Sequence, residues 1–211
     1  MSEDKGLATE NFLLVGVGGQ GVLLASDVVA LVGMKMGCDV KKSEVHGMAQ
    51  RGGSVNSHVR WAERVHSPMI TPGDVDYLVA FERLEALRYA HMLRPEGHFL
   101  INDYRIPPVS ASSGGSVYPT EADEEGVYQD ILEERFYIPA VTMAQELGSA
   151  RVNNVVMLGG LSAFLEVPQG VWLEVISERV PASYVPVNQE AFEAGRQYMA
   201  ARLEGERAHA R

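Results

Sequence analysis

Asn11-Phe12-Leu13-Leu14-Val15-Gly16-Val17-Gly18-Gly19-Gln20-Gly21-Val22 sets the fold class. The apolar run Asn11–Gly16 predicts a buried strand, and the glycines that follow demand a tight turn. From Gln20 to about Met36 the clearly polar side chains are Gln20, Ser26, Asp27 and Lys35. A helix so apolar on nearly every side is expected to be covered on more than one side. Strand, glycine turn and helix in that order open a doubly wound α/β sheet.

The pattern continues on both sides of a second glycine-rich stretch. Cys38 to Glu44 predicts a second strand, while glycines at 47, 52 and 53 interrupt regular structure between Glu44 and Ser54. Apolar and polar residues alternate from Ser54 to Trp61, which predicts a half-exposed strand at an antiparallel edge. Asp76–Phe81 and Gly97–Asn102 read as buried strands, separated by a helix over Glu82–Leu93 that Arg94-Pro95 ends. Arg105 to Gly126 is expected to be a surface excursion with a solvated acidic helix start at Glu121–Glu125. A short strand at Phe136–Pro139 and helices over Val141–Leu147, Asn153–Leu165, Gly170–Ser177 and Asn188–Leu203 complete the chain. The expected fold is α/β: a doubly wound, mostly parallel sheet with an antiparallel edge strand and helices on both faces, Rossmann-like. Residues 1–10 are expected to form a flexible N-terminus, 11–203 a single α/β domain, and 204–211 a charged tail that frays.

A chain of 211 residues, 46% hydrophobic, can bury one sizeable core. Its formal net charge of −10 argues against nucleic-acid phosphates or an anionic membrane surface as partners. No apolar run approaches the roughly 20 residues of a membrane helix. The acidic N-terminus has no signal-peptide core, so a cytoplasmic protein is expected. The single cysteine, Cys38, allows no internal disulfide and cannot by itself hold an iron–sulfur cluster. The six histidines show no HExxH or similar metal spacing; no metal site is expected.

Gly16-Val17-Gly18-Gly19-Gln20-Gly21 fits G-x-G-x-x-G. Glycines let backbone approach a ligand, and a helix N-terminus offers free N–H groups to an anion. The candidate cofactor-binding residues are therefore Gly16, Gly18, Gly19, Gln20 and Gly21. A dinucleotide enzyme also wants an acid near the end of the second strand. Here Asp39 falls early in that strand, Lys41-Lys42 lie beyond it and could favour a phosphate, and Glu44 follows at once. Val22-Leu23 stand where a Walker loop needs Lys-Ser/Thr. A phosphate-bearing group, a partner's loop, or close helix–strand packing alone all remain compatible with the turn.

Ser43-Glu44-Val45-His46-Gly47-Met48-Ala49-Gln50-Arg51-Gly52-Gly53-Ser54 crowds polar chemistry beside glycines after a strand. Loops at the carboxyl ends of strands line the ligand crevice of such sheets, so this one is expected to face the first turn. His46, Gln50 and Arg51 are near-site catalytic candidates. Gly52, Gly53 and Ser54 are candidate binding residues, since Arg51 beside two glycines can offer a planar cation and open amides to an anion. His46 alone reads more simply as a hydrogen-bonded structural histidine; the cluster as a whole reads as functional.

The GxGGQG turn, SEVHGMAQRGGSVNSHVR at 43–60 and DYLVAFERLEALR at 76–88 together resemble the gamma-type domain of 2-oxoacid:ferredoxin oxidoreductases. The form of the 43–60 stretch is similar to the indolepyruvate branch of that family. NDYRIPPV at 102–109, NNVVMLGGLSAFL at 153–165 and VPVNQEAFEAGR at 185–196 extend the resemblance from about residue 11 to 200. The resemblance implies a cytoplasmic heteromeric complex that decarboxylates an aryl-pyruvate, captures the acyl group on coenzyme A and passes two electrons to ferredoxin. It implies a large partner subunit that brings thiamine diphosphate and the iron–sulfur clusters, neither held by this chain alone. It places the Gly16–Gly21 turn and the His46–Ser54 loop near the active-site crevice or the subunit interface. The residues agree with that division of labour: Gly73-Asp74 is followed by Val75, and Asn153-Asn154 lies too far on for a thiamine GDG…NN pattern. The competing readings are a free-standing NAD(P)-dependent dehydrogenase, which leaves the second loop idle, and a non-catalytic binding module; a homodimer is an option for the isolated chain. Alanine at Gly18 is expected to strain the turn if that residue has positive φ. Arg51→Ala is expected to fold but to leave the assembled complex with strongly impaired turnover; unchanged ferredoxin reduction would remove the loop from the mechanism.

Overall fold

A computed structural model describes residues 9–46, 53–108, 117–129 and 135–209. Six strands, β1 (Glu10–Val17), β2 (Asp39–His46), β3 (Ser54–Ala62), β4 (Val75–Ala80), β5 (Leu93–Asn102) and β6 (Phe136–Ile138), form one sheet in the order β2-β3-β1-β4-β5-β6. β1, β4, β5 and β6 pair in parallel, while β3 runs antiparallel to both of its neighbours. The helices are α1 (Val22–Lys35), α2 (Arg83–Tyr89), α3 (Glu121–Tyr128), α4 (Ala140–Glu146), α5 (Asn153–Ser162), α6 (Gln169–Arg179) and α7 (Val185–His209).

Alternation along the strands divides the core in two. Phe12, Leu14, Val79 and Leu100 face a large cluster shared with α1 and α4–α7. Leu13, Val15, Leu78, Ala80, Phe99 and Ile101 face a smaller one under α2, with Tyr128 of α3. The apolar α1 is covered as its composition demands, between the sheet and helices α5 and α6. On the same side α5 and α7 meet at backbone distance: an added Cβ at Gly159 would stand 2.0 Å from the Phe192 carbonyl oxygen. One at Gly195 would stand 1.9 Å from that of Val156.

Four expectations need correction. β3 is not half-exposed at the edge; β2 takes the edge and β3 lies one place in. Its buried His58 and the amide nitrogen of Asn56 find partners on other segments, while Ser57 Oγ and Asn56 Oδ1 have none among the described residues. The Ile70 N–H donates to Nδ1 of His58 at 3.3 Å, and Asn56 donates to the Tyr89 hydroxyl at 2.8 Å. Burial also pushes the His58 imidazole pKa down, which keeps it neutral. The acidic helix is not merely solvated: Glu124 is buried and grips Arg83, whose Nε lies 2.9 Å from its Oε2. The helix after β4 ends at Tyr89 and tightens into a 3-10 turn over Ala90–Met92, and β5 begins at Leu93 rather than Gly97. The final helix runs past Leu203 to His209, so the charged tail is helical that far.

Glu10, at the start of β1, has its carboxyl pKa pushed up to about 7 by burial and by Asp76, with Arg94 opposing. The folded state therefore holds the Glu10 proton more tightly than the unfolded chain does. That contribution is complete below the ordinary carboxyl range and is lost as pH rises through about 7. Glu10→Gln is expected to match the wild-type melting temperature at about pH 4 and exceed it at about pH 8.5; an equal difference at both pH values would contradict this.

Candidate functional site

The carboxyl ends of β1 and β4 meet at the middle of the sheet, where α1 leaves to one face and α2 to the other. This is the switch point at which doubly wound sheets bind ligands. Here a side chain of the chain itself spans it. Gln20 accepts the Val17 N–H through Oε1 and donates through Nε2 to the Phe81 carbonyl, both at 2.7 Å. Asn102, fully buried at the end of β5, donates to the same carbonyl at 3.1 Å and accepts the Ala140 N–H at 3.2 Å. Two carboxamides thus run a line of hydrogen bonds across β1, β4 and β5 to the start of α4. Gly16 makes room for it, since a Cβ there would lie 2.9 Å from Gln20 Oε1 and 2.8 Å from Val22 Cγ2.

The turn remains open on the α1 side. Positive φ falls on Gly19 (102°) and Gly21 (78°), not on Gly18, so the strain expected at Gly18 belongs to its neighbours. Gly21 caps α1 without any side-chain hydrogen bond, leaving first-turn N–H groups available to an anion. A cavity of about 380 Å³ lies there, against Val17, Gly18, Gly19, Gly21 and Leu23. Asn154 of α5 donates to the Gly21 carbonyl at 3.4 Å; a Cβ on Gly21 would meet its Nδ2 at 2.5 Å.

The second loop starts and ends beside this turn. Val17 is in register with Ser54, and the Gly18 N–H donates to the Gly53 carbonyl at 2.9 Å. The backbone of His46 closes β2 opposite Val55. The His46 side chain, Gln50, Arg51 and Gly52 lie outside the described residues. Ser54 donates to Glu85 of α2 at 2.5 Å, and burial pushes the Glu85 carboxyl pKa up. Glu82, completely buried, caps α2 by accepting from Leu84 and Glu85 N–H and holds the Ile106 N–H at 2.9 Å together with the Tyr118 hydroxyl. The candidate residues did not include Glu82 and Glu85; two acids immediately after the buried run Asp76–Phe81 were the available signal. Lys41 and Lys42 are spent elsewhere, on Asp39 and on Asp27 and Glu44.

Gln20→Ala would strip the Val17 N–H of its partner and leave Phe81 with Asn102 alone. The expected loss is on the order of 2 kcal/mol of stability, read from a denaturant midpoint; an unmoved midpoint would show the line to be dispensable.

Residues 11–198 match the family described as pyruvate ferredoxin/flavodoxin oxidoreductase. The chain is 37% identical over 188 residues to the indolepyruvate oxidoreductase subunit IorB of Thermococcus kodakarensis, covering 88% of this chain and 93% of that protein. It is 36% identical to the subunit of the same name from Pyrococcus horikoshii, also over 188 residues, 88% and 93% of the two chains. Its fold is similar to the gamma subunit of a keto/oxoacid ferredoxin oxidoreductase from Geobacter sulfurreducens, with a TM-score of 0.68 at 22% identity, covering 91% and 99% of the two chains. It also matches part of the 2-oxoglutarate:ferredoxin oxidoreductase of Magnetococcus marinus, TM-score 0.70 at 24% identity, covering 94% of this chain and 32% of that one. A glycine turn clamped by its own glutamine, with a second glycine loop tied to it through backbone, is thus carried by a member of the pyruvate ferredoxin/flavodoxin oxidoreductase family.

Proposed function

We propose that this chain is the small subunit of an indolepyruvate-type 2-oxoacid:ferredoxin oxidoreductase working in the cytoplasm. The observation that carries the reading is relatedness along nearly the whole chain to subunits named for that activity. The complex removes carbon dioxide from an aryl 2-oxoacid, joins the acyl group to the sulfur of coenzyme A and delivers two electrons to ferredoxin.

Chemistry assigns the redox work to a larger partner. One cysteine cannot ligate a cluster, and no thiamine GDG…NN pattern is present. The match to about a third of a longer 2-oxoglutarate enzyme supports a partner that supplies the remainder. Thiamine diphosphate, when bound in that partner, supplies the carbanion chemistry of decarboxylation. This chain contributes an uncapped helix end beside Gly19 and Gly21, which fits a phosphate-bearing group such as coenzyme A. Its second loop, with the candidates His46, Gln50, Arg51, Gly52, Gly53 and Ser54, begins and ends beside the glycine turn and is proposed to serve the active-site crevice or the partner. The dehydrogenase reading is weaker, because Gln20 and Asn102 occupy the switch point that a dinucleotide would cross.

Anaerobic co-expression with a candidate large subunit tests the proposal. Ferredoxin reduction dependent on both indolepyruvate and coenzyme A is expected with this chain and not without it. Micromolar binding of NADH or NADPH by the isolated chain would favour the dehydrogenase.

A further inference from the structure

β2 closes the sheet on one side, and among the described residues no strand pairs with its outer edge. Such an edge presents a row of free N–H and C=O groups to any extended partner. Edges are commonly guarded by lysine charge, by proline or by a bulge. β2 has no proline, and its register against β3 runs unbroken from Asp39 to His46. Its lysines are already neutralised within the chain: Lys41 by Asp39 at 2.9 Å, Lys42 by Asp27 and by Glu44 at 2.5 Å. Asp39, Lys41, Lys42 and Glu44 cancel one another, in a chain whose net charge is −10.

An exposed helix stripe lies directly above this edge. α1 rests on β3, with Gly33 against Trp61, and is covered on another side by α5 and α6. Leu23, Asp27, Ala30 and Met34 share the remaining side by their spacing. Lys42 reaches Asp27 from β2, which sets the stripe over the strand edge. Leu23 is 39% exposed, Met34 59%, and Val45 of β2 itself 46%.

Two copies paired edge to edge obey a two-fold axis perpendicular to the sheet. Side chains alternate between faces, so that axis must pass through a residue position and never between two. An axis at Lys41, Lys42 or Glu44 sets that charge against its own copy. An axis at Ser43 pairs Val40 to His46 and sets Lys42 opposite Glu44 of the other copy, twice. The same rotation keeps both α1 helices on one face and lays the stripe beside its copy. Asp27 enters that contact compensated, because Asp27 and Glu44 are balanced by Lys42 and Arg179. A stable interface buries about 800 Å² per partner, and the stripe widens the contact beyond one row of backbone.

We propose that two copies of this chain join through β2 and α1, with the axis at Ser43, into one continuous sheet. Strand direction reverses across the axis, so the two glycine turns lie at opposite ends. Each is left free for its own large subunit. The pairing holds whatever reaction the chain serves.

Sedimentation of the full chain tests it. A dimer is expected at micromolar concentration, weakened about tenfold by Met34→Glu and by Glu44→Lys with helix content unchanged. Met34 is exposed in the single chain, so its substitution probes the contact without touching the core. Ser43→Cys is expected to be joined to its copy by a short bismaleimide. Wild type, with Cys38 alone, is not, since at 3.4 Å per residue the two Cys38 stand about 34 Å apart. A monomer at these concentrations overturns the proposal, as does a dimer that neither substitution weakens. A dimer in which the Ser43→Cys copies stay unlinked overturns the register. A monomer that loses capture by the large subunit in Met34→Glu assigns the face to that subunit and overturns the pairing.

Discussion

A single carboxamide holds the centre of this molecule. Gln20 joins the end of β1 to the end of β4, reaching a carbonyl 61 residues further along the chain, by satisfying an N–H on one and a carbonyl on the other. Buried backbone groups cost most when left without partners, and a strand end that breaks into a glycine turn creates such groups. Glutamine is suited to the position because one planar group both accepts and donates. Gly16 must lack a Cβ for the amide to lie there. The glycine turn, the start of α1 and the strand that launches α2 are therefore positioned together.

The two faces of the sheet are built on different principles. Under α1 and α4–α7 the packing is dense, to the point that α5 and α7 touch through backbone at Gly159 and Gly195. Under α2 and α3 the apolar cluster is smaller, and charged groups complete it: Glu82, Glu85, Glu124 and Arg83. Arg83 stacks on the Tyr137 ring at 4.9 Å while it pairs with Glu124 and Asp103. Buried ion pairs of this kind contribute geometry more than net stability.

Much of this was legible because local pattern and tertiary outcome agree. The runs at Asn11–Gly16 and Asp76–Phe81 are buried on both faces, and the glycine turn sits between strand and helix as its spacing requires. What could not be read were partners supplied from a distance. Alternation in β3 signals a wet face, yet Asn56 and His58 are buried by partners 33 and 12 residues on. Glu124 looks solvated until Arg83, 41 residues earlier, closes on it. At the site, Gly53 and Ser54 were visible from composition, while the hydrogen bond that Ser54 donates goes to Glu85, 31 residues later. Gln20 was visible as a motif residue, but its inward turn toward Phe81 has no local signature.

The tie between the two glycine loops is made by main-chain atoms alone, the Gly18 N–H and the Gly53 carbonyl. An anchor of that kind does not depend on the identity of neighbouring side chains. Side-chain substitutions near either end leave both of its atoms in place. Within one scaffold, this separates inheritance of position from inheritance of chemistry. Descendants of a common subunit can thus diverge in sequence while the strand ends beneath stay the same.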